Sequence, residues 1–553
     1  MVEVPLTIDH PDGAAWSDAA DVIIVGFGGA GAAAAIEARR RGARVLAFDN
    51  FRGGGATAVS GGINYAGNTR IQQEAGVEDS VEDMFRYLQA EGAPVKPETL
   101  RRFCEETSKN IDWLAEMGVP YQGTAYHDKC ALPPDGFFLY YTGNEKHPRY
   151  KAIARPAPRG HRVATDGFGG HVHFAKLKQA ALAAGVSFRP HSPVRRLVID
   201  RSGNVIGVEI NSIPESAWAE QDRLYDRVRP WALLSGARAE KAIAANTKLE
   251  SGFHERRLIR ARHGVLLSAG GYIYNLPLLS QVRPELGKAY TALMRLGSMG
   301  CNGSGIRLGE SVGGVFDYRD QVCVSRNIAP PQALVRGILV NARGERFINE
   351  DVYVGDLGAA CAQQAQQPGN RLWLLVDRAD FHAAFRAALN PGRNLFMLFG
   401  LPTLLNVFLG GTRRGGSLAA IARKCGIDAQ GLQRTIANYN RAAESGAQDA
   451  LGKADEYLHP LREGTYYALN MALENPFGFT MAFTLGGLRV DEDSGAVLRD
   501  DGSVIGGLYA AGRNAVGMCS TGYRQSGMSI ADTVFSGRRA ARAMTAALDQ
   551  KMV

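Results

Sequence analysis

Residues 21–49 read DVIIVGFGGAGAAAAIEARRRGARVLAFD, and this stretch decides the fold. Val22-Ile23-Ile24-Val25 is short, apolar and β-branched, as a strand buried on both faces should be. Gly26, Gly28 and Gly31 follow as G-x-G-x-x-G. The first glycine allows a tight turn, the second lets backbone approach a pyrophosphate, and the third lets the next helix pack on the strand. The helix N-terminus then turns free N–H groups and its positive dipole end toward the phosphates. Val45–Phe48 forms a second strand. Asp49 closes it about 20 residues past the glycines, where a carboxylate can accept hydrogen bonds from a ribose. The expectation is a dinucleotide-binding βαβ unit opening an α/β protein.

The chain has 553 residues, room for more than one domain and a large core. Apolar content of 45% and charged content of 21% are those of a globular protein, and the 66 glycines suit backbone lying close to a ligand. A net charge of +8 fits a mildly basic surface, or attraction to an anionic membrane or cofactor. No basic run is interleaved with aromatics, which argues against a nucleic-acid partner. The seven cysteines are scattered and never spaced C-x-x-C, so neither a disulfide framework nor a zinc site is expected. They fit small buried residues in a reducing cytoplasm. His161, His171 and His173 lack a carboxylate partner at ligand spacing, so no metal is expected. The N-terminus is acidic and lacks the apolar core of a signal peptide, and no run reaches the roughly 18 apolar residues of a membrane span.

Outward from the opening unit, residues 51–67, FRGGGATAVSGGINYAG, can wrap a cofactor, with Gly54, Gly55, Thr57, Ser60, Gly61 and Gly62 as contacts. Residues 77–118 read as two amphipathic helices. Residues 120–165 are loop-rich, and 176–184 is helical. Strands are expected at 186–188, 194–199 and 205–210, the last two joined by a turn at 200–204. Residues 211–258 read as a surface helical hairpin with Trp218, Leu224, Trp231 and Leu233 as its apolar points, or as an oligomer contact. Gly264–Gly271 is a buried strand ending in glycines, which places backbone beside a ligand at the sheet's carboxyl edge.

Residues 272–475 change texture to mixed helices and short strands, as a second domain inserted into the first would. Residues 337–350 read as a hairpin leading into an exposed polar turn. Residues 395–409, LFMLFGLPTLLNVFL, are the most apolar run. They fit a buried core segment, or a patch dipping into lipid beside Arg413 and Arg414. Strand texture returns at 506–513, and Gly522–Ser529 opens a last helix, 530–548.

In this order, VGFGGAGAAAAIEA, GGGATAVSGG, VLLSAGG, ILVNARGERFINED, TLGGLRVD, GLYAAGR and SGMSIADTVFSGRRA resemble the flavoprotein family of fumarate reductases, succinate dehydrogenases and 3-ketosteroid dehydrogenases. The resemblance spans nearly the whole chain. It implies FAD, a Rossmann-like FAD-binding domain split into 1–271 and 476–553, and an α+β catalytic cap over 272–475. No match exists for the family's covalent-flavin histidine, so FAD should be non-covalent. The nominated FAD contacts are Gly26, Gly28, Gly29, Ala30, Gly31, Asp49, Asn50, Gly54, Gly55, Ala56, Thr57, Ser60, Gly61, Gly62, Val194, Ala269, Gly270, Gly271, Gly512, Arg513, Ser526, Met528, Ser529 and Ile530.

NEDVY, AAGR and the tyrosine and serine of GYRQSG make the chain most similar to the 3-ketosteroid delta-4(5-alpha)-dehydrogenase branch. The resemblance then implies Tyr353, Tyr523 and Ser526 as catalytic residues, with Gly527 at the substrate. Tyr523 and Ser526 stand one residue further apart than is usual in the branch. A gapless alternative puts Arg524 where fumarate reductases hold a substrate-binding arginine. Removing two hydrogens beside a ketone requires a polarised carbonyl, a base and a hydride acceptor. The expectation is that Tyr523 or the amide near Ser526–Gly527 binds the ketone. Tyr353, or Ser526 with a tyrosine, takes the proton, and flavin takes the hydride. The chain would introduce a C=C bond next to the 3-keto group, 4,5 in preference to 1,2, in a steroid-like substrate, and pass electrons to an external acceptor. Two other readings stand beside it. One is a flavin-dependent reductase of an enone or α,β-unsaturated carboxylate, which Arg524 supports. The other is a membrane-associated electron-transfer subunit docking through 395–409. The expected location is the cytoplasm, or the membrane periphery.

Overall fold

The computed structural model describes residues 2–549 except 129, 229, 231–233, 368, 370, 391–394 and 463. Asp18–Val25 and Val45–Phe48 run parallel in one sheet, joined by the helix Gly29–Arg40. The strand's alternation sorts its side chains to two faces, and both are buried. Val22 and Ile24 pack under the alanine-rich helix, whereas Ile23 and Val25 pack on the other side with Leu46 and Phe48. The helix is built of small residues because a second helix, Met528–Asp549, crosses it closely. A Cβ on Gly537 would lie 2.4 Å from the Ala30 carbonyl oxygen.

Among the described residues this sheet has nine strands. Arg256–Leu267 is its longest, and one edge of it serves two partners. Its first half pairs antiparallel with Val205–Asn211 and its last residues pair parallel with Val504–Ala510. Its other edge carries Asp18–Val25. The chain's last strand thus joins the sheet begun by its first residues, and the carboxyl ends of 18–25, 256–267 and 504–510 open on one side. The strands expected at 194–199 and 205–210 are present as an antiparallel pair, Val194–Ile199 and Val205–Asn211.

The intervening residues build smaller sheets. One joins Met294–Arg295, Thr480–Thr484 and Val322–Arg326, and another joins Ile338–Val340, Trp373–Asp377, Tyr466–Asn470 and Arg413–Gly415. Several expectations need correction. Residues 120–165 are loop-rich as expected, with three short strands among the described residues that form a sheet with Ile63–Tyr65, but the helix expected at 176–184 begins at Gly170. The helices Glu215–Tyr225 and Gly236–Glu250 form the expected hairpin, but it is no mere surface element. Leu224, Tyr225, Ala239 and Ala242 are buried against Phe51, Ile273 and Leu293. Trp231 and Leu233 lie outside the described residues.

The turn expected to be exposed at 346–350 is buried. Arg346 bridges Glu350 and Asp449, each at 2.7 Å, and Lys453 sits 2.9 Å from Glu350. Asp449 and Lys453 come from about a hundred residues downstream, so no local pattern reveals them. Residues 395–409 divide between the two readings offered for them. Leu395 and Phe399 are buried, while Met397, Phe408 and Leu409 are each more than 60% exposed. Among the described residues no helix is long and apolar enough to cross a membrane.

Candidate active site

One cavity runs from the carboxyl edge of the large sheet to the smaller sheets. At the sheet end its wall is glycine turn and helix terminus. Gly28 precedes the helix without a side-chain cap, and its missing Cβ would meet only the Gly54 carbonyl oxygen, at 3.7 Å. A side chain there, or at Gly55, would fill cavity rather than protein. Gly29 N–H donates to Thr57 Oγ1 at 3.2 Å. A helix terminus with no N-cap side chain in the way suits a diphosphate. Asp49 lines the same end. Its carboxylate accepts from the Phe27 and Phe51 amides at 2.8 and 2.9 Å, and burial pushes its pKa up. Donors of this kind, on glycine backbone with no Cβ in the way, fit the AMP half of FAD.

Of the nominated FAD contacts, Gly26, Gly28, Gly29, Ala30, Asp49, Asn50, Gly55, Ala56, Thr57, Ser60, Gly61, Gly62, Val194, Ala269, Gly270, Gly512, Arg513, Ser526, Ser529 and Ile530 line the cavity. Four do not. Gly31 faces the strand, where a Cβ would lie 2.1 Å from the Gly26 carbonyl oxygen. Gly54 backs onto Ala58 and Phe174, and Gly271 onto Thr484. Met528 is buried in a core with Tyr65 and Phe535. Phe51, Ser192, Tyr225 and Ser298 line the cavity but are absent from the sequence reading. Tyr225 stands on the hairpin helix, with its ring 4.8 Å from that of Phe51. A single tyrosine at the end of a polar helix carries no signal of that placement.

The far end is apolar, walled by Leu132, Phe168, Phe399, Phe479, Met481 and Phe483. Here the chain brings together three hydroxyls from two distant segments. Tyr353 is the N-cap of the helix Val354–Ala365, and its Oη lies 2.8 Å from Ser526 Oγ. The Tyr523 ring stands 6.3 Å from that of Tyr353. Two glycines set this spacing. A Cβ on Gly355 would lie 2.3 Å from the Tyr523 carbonyl oxygen, and one on Gly358 would lie 1.8 Å from that of Val324. Tyr353 N–H also donates to Asn144 Oδ1 at 2.7 Å, a contact without local sequence pattern.

Burial pushes the Tyr353 and Tyr523 phenols well above their usual range. Neither ionises readily by itself. The Tyr353–Ser526 contact offers a relay in place of a free phenolate. Tyr523 Oη accepts from the Gly527 amide at 2.9 Å, which leaves the phenol proton free to point into the cavity. The same bond commits the Gly527 N–H that the sequence reading offered to the substrate. Gly527 has φ of +95° and nests its Cα against Ile63 and Tyr65.

Arg524 is outside this cavity, contrary to its nomination as a substrate ligand. It lines a separate pocket with Glu91, sits 3.6 Å from both Glu91 and Asp356, and donates to the Glu91 carbonyl. His161 bonds Thr69 at 2.8 Å, and burial holds both His161 and His173 down to about 4, so both are neutral. Among the described residues no group of three or more His, Cys, Asp or Glu could hold a metal ion.

The family described as FAD binding domain matches residues 21–530. A 3-oxo-5-alpha-steroid 4-dehydrogenase of Comamonas testosteroni is 35% identical, over 92% of this chain and 95% of its own. An NADH:fumarate oxidoreductase of Klebsiella pneumoniae (strain 342) is 26% identical, over 94% of this chain and 46% of its own. The crystal structure of 3-ketosteroid-delta4-(5alpha)-dehydrogenase from Rhodococcus jostii RHA1, in complex with 4-androstene-3,17-dione, is 29% identical. It superposes with a TM-score of 0.79 over 98% of this chain and 100% of its own.

Proposed function

We infer the function from a plain premise: the chain belongs to the FAD binding domain family. It is an FAD-dependent oxidoreductase acting on CH–CH groups, a 3-ketosteroid dehydrogenase that introduces a C=C bond next to the 3-keto group. The relative 35% identical over nearly the full length carries that activity in its name, and the solved relative was crystallised with a steroid. The observation that carries the reading is the cluster of Tyr353, Tyr523 and Ser526 hydroxyls in an otherwise apolar cavity. The bond is placed at 4,5 in preference to 1,2.

Their hydrogen bonds support a division of labour among the residues. Tyr523, accepting from Gly527, directs its phenol proton at the ketone oxygen and polarises the carbonyl. The carbon beside the carbonyl becomes acidic; Tyr353 takes its proton while its own phenol proton passes to Ser526, whose hydroxyl proton passes on to water. The phenyl and methionine walls hold the hydrocarbon and keep water out. Bound FAD supplies the hydride acceptor.

The FAD-binding domain is composed of 1–271 and 476–553, and 272–475 form the cap. The shared sheet of Asp18–Val25 and Val504–Ala510 supports that division. Thr480–Thr484, which pairs with Met294–Arg295 and Val322–Arg326, argues for moving the second boundary past 484. FAD is held non-covalently, and electrons leave to an external acceptor. Residues 395–409 with Arg413 and Arg414 form a peripheral contact for an anionic membrane. The reductase reading loses its support with Arg524 paired elsewhere.

Turnover of a saturated 5α-3-ketosteroid with an artificial electron acceptor, followed by product analysis, tests the position of the bond. The 4-ene is expected as the first product; a 1-ene in its place would overturn the 4,5 assignment.

A further inference from the structure

The side-chain amide of Asn327 stands out in the apolar wall. It lines the cavity of Tyr353 and Tyr523, and its Oδ1 and Nδ2 are both buried without a protein partner. Buried amides are almost always bonded, so one left open in a cavity wall points to a partner that comes and goes.

The strand Val322–Arg326 acts as a ruler along the cavity. Side chains alternate in extended chain, so Cys323, Ser325 and Asn327 share a face. Cys323 packs against Tyr523, while Ser325 and Asn327 line the cavity. Four residues of extended chain span about 13 Å, the scale of a four-ring nucleus from one end to the other. Asn327 also borders a smaller pocket under the helix Leu401–Phe408, lined by Pro402, Thr403 and Asn406 and by neither catalytic tyrosine. The wall beside it is preformed. The buried Arg326 guanidinium donates to the Ala472 and Gly478 carbonyls at 3.0 and 2.7 Å, and this loop holds Phe479 at a φ of +53°.

We propose that Asn327 is a specificity-determining residue that hydrogen-bonds an oxygen at the end of the steroid remote from the reacting ketone, a D-ring ketone or hydroxyl. The assignment rests on reading the cavity as a 3-ketosteroid site. An amide serves both groups, since Nδ2 donates to a carbonyl and Oδ1 accepts from a hydroxyl.

The test uses the FAD-loaded enzyme and two 5α-3-ketosteroids, one with a 17-keto group and one without oxygen on the D ring. Asn327→Leu is expected to raise KM for the 17-keto substrate about tenfold, the loss of one net hydrogen bond, and to leave KM for the other unchanged or lower. Asn327→Ser, a smaller change, should show the same ordering. Flavin content and kcat on the oxygen-free substrate should hold in both variants. Equal shifts in KM for the two substrates, or none, would overturn the role of Asn327 alone. Failure of the wild-type enzyme to turn over either steroid would overturn the steroid reading and this assignment together.

Discussion

Tyr353 and Arg524 separate the dehydrogenase account from its rival at the scale of single side chains. Tyr353 Oη lies in the cavity on Ser526, whereas Arg524 lies outside it between Glu91 and Asp356. Tyr353→Phe keeps the ring and its packing but removes the relay. It should slow flavin reduction by about 100-fold or more, the usual worth of a positioned proton-transfer group, with FAD still bound. Arg524→Ala should change KM by less than about tenfold and lower Tm, because it leaves Glu91 facing Asp356 uncompensated. An arginine holding a substrate carboxylate would cost about 2–5 kcal/mol when removed. Stopped-flow and steady-state measurements on the pair give the answer. A slow Arg524→Ala beside a fast Tyr353→Phe would reverse the assignment. Neither placement follows from spacing. Tyr353 and Ser526 are far apart in sequence, and only the likeness to a known family proposed them together. Arg524 stayed ambiguous until the carboxylates around it were visible, since both come from other segments.

Among elements, the glycine turn and its helix are legible because their signal is local: apolar runs, small residues at fixed offsets and a terminal acid. The ion pairs around Arg346 are not, because charge beside a glycine turn reads as solvated unless its distant partners are known. The same holds for Glu91, buried at the end of the helix Val81–Ala90. Burial, with Asp356 nearby, raises its carboxyl to about 7, against the opposing effects of Asn144, Arg524 and Tyr87. A pKa raised from its unfolded value means that the folded state holds the extra proton. Stability is therefore full below the unfolded pKa and is lost as pH rises through about 7. Tm should fall between pH 5 and 8, and Glu91→Gln, always neutral, should make that fall shallower. Buried Asp532, raised to about 6, leaves a residual slope. Equal slopes in the two proteins would remove Glu91 from the effect. The helix 401–408 makes a different prediction. Its exposed Phe408 and Leu409 lie near exposed Arg413 and Arg414. The wild-type protein should float with anionic vesicles, and Phe408→Asp with Leu409→Asp should not. Equal flotation, or none by the wild type, would remove the membrane contact.

At the scale of the whole molecule, one cavity runs from the carboxyl edge of the large sheet to the smaller sheets. The sequence shows the change of texture near 272, and the structure adds that strand 480–484 pairs with strands before it in that region. The proposed chemistry lies in that cavity, so the account makes one demand of the assembled protein. A saturated 3-ketosteroid, mixed without oxygen with the purified yellow protein, must deliver a hydride to the bound flavin. Absorbance of the oxidised flavin followed after anaerobic mixing tests this most directly. The account predicts bleaching by a 5α-3-ketosteroid and no re-oxidation of the reduced flavin by fumarate. No bleaching by any 3-ketosteroid, with rapid re-oxidation by fumarate or an enoate, would contradict it.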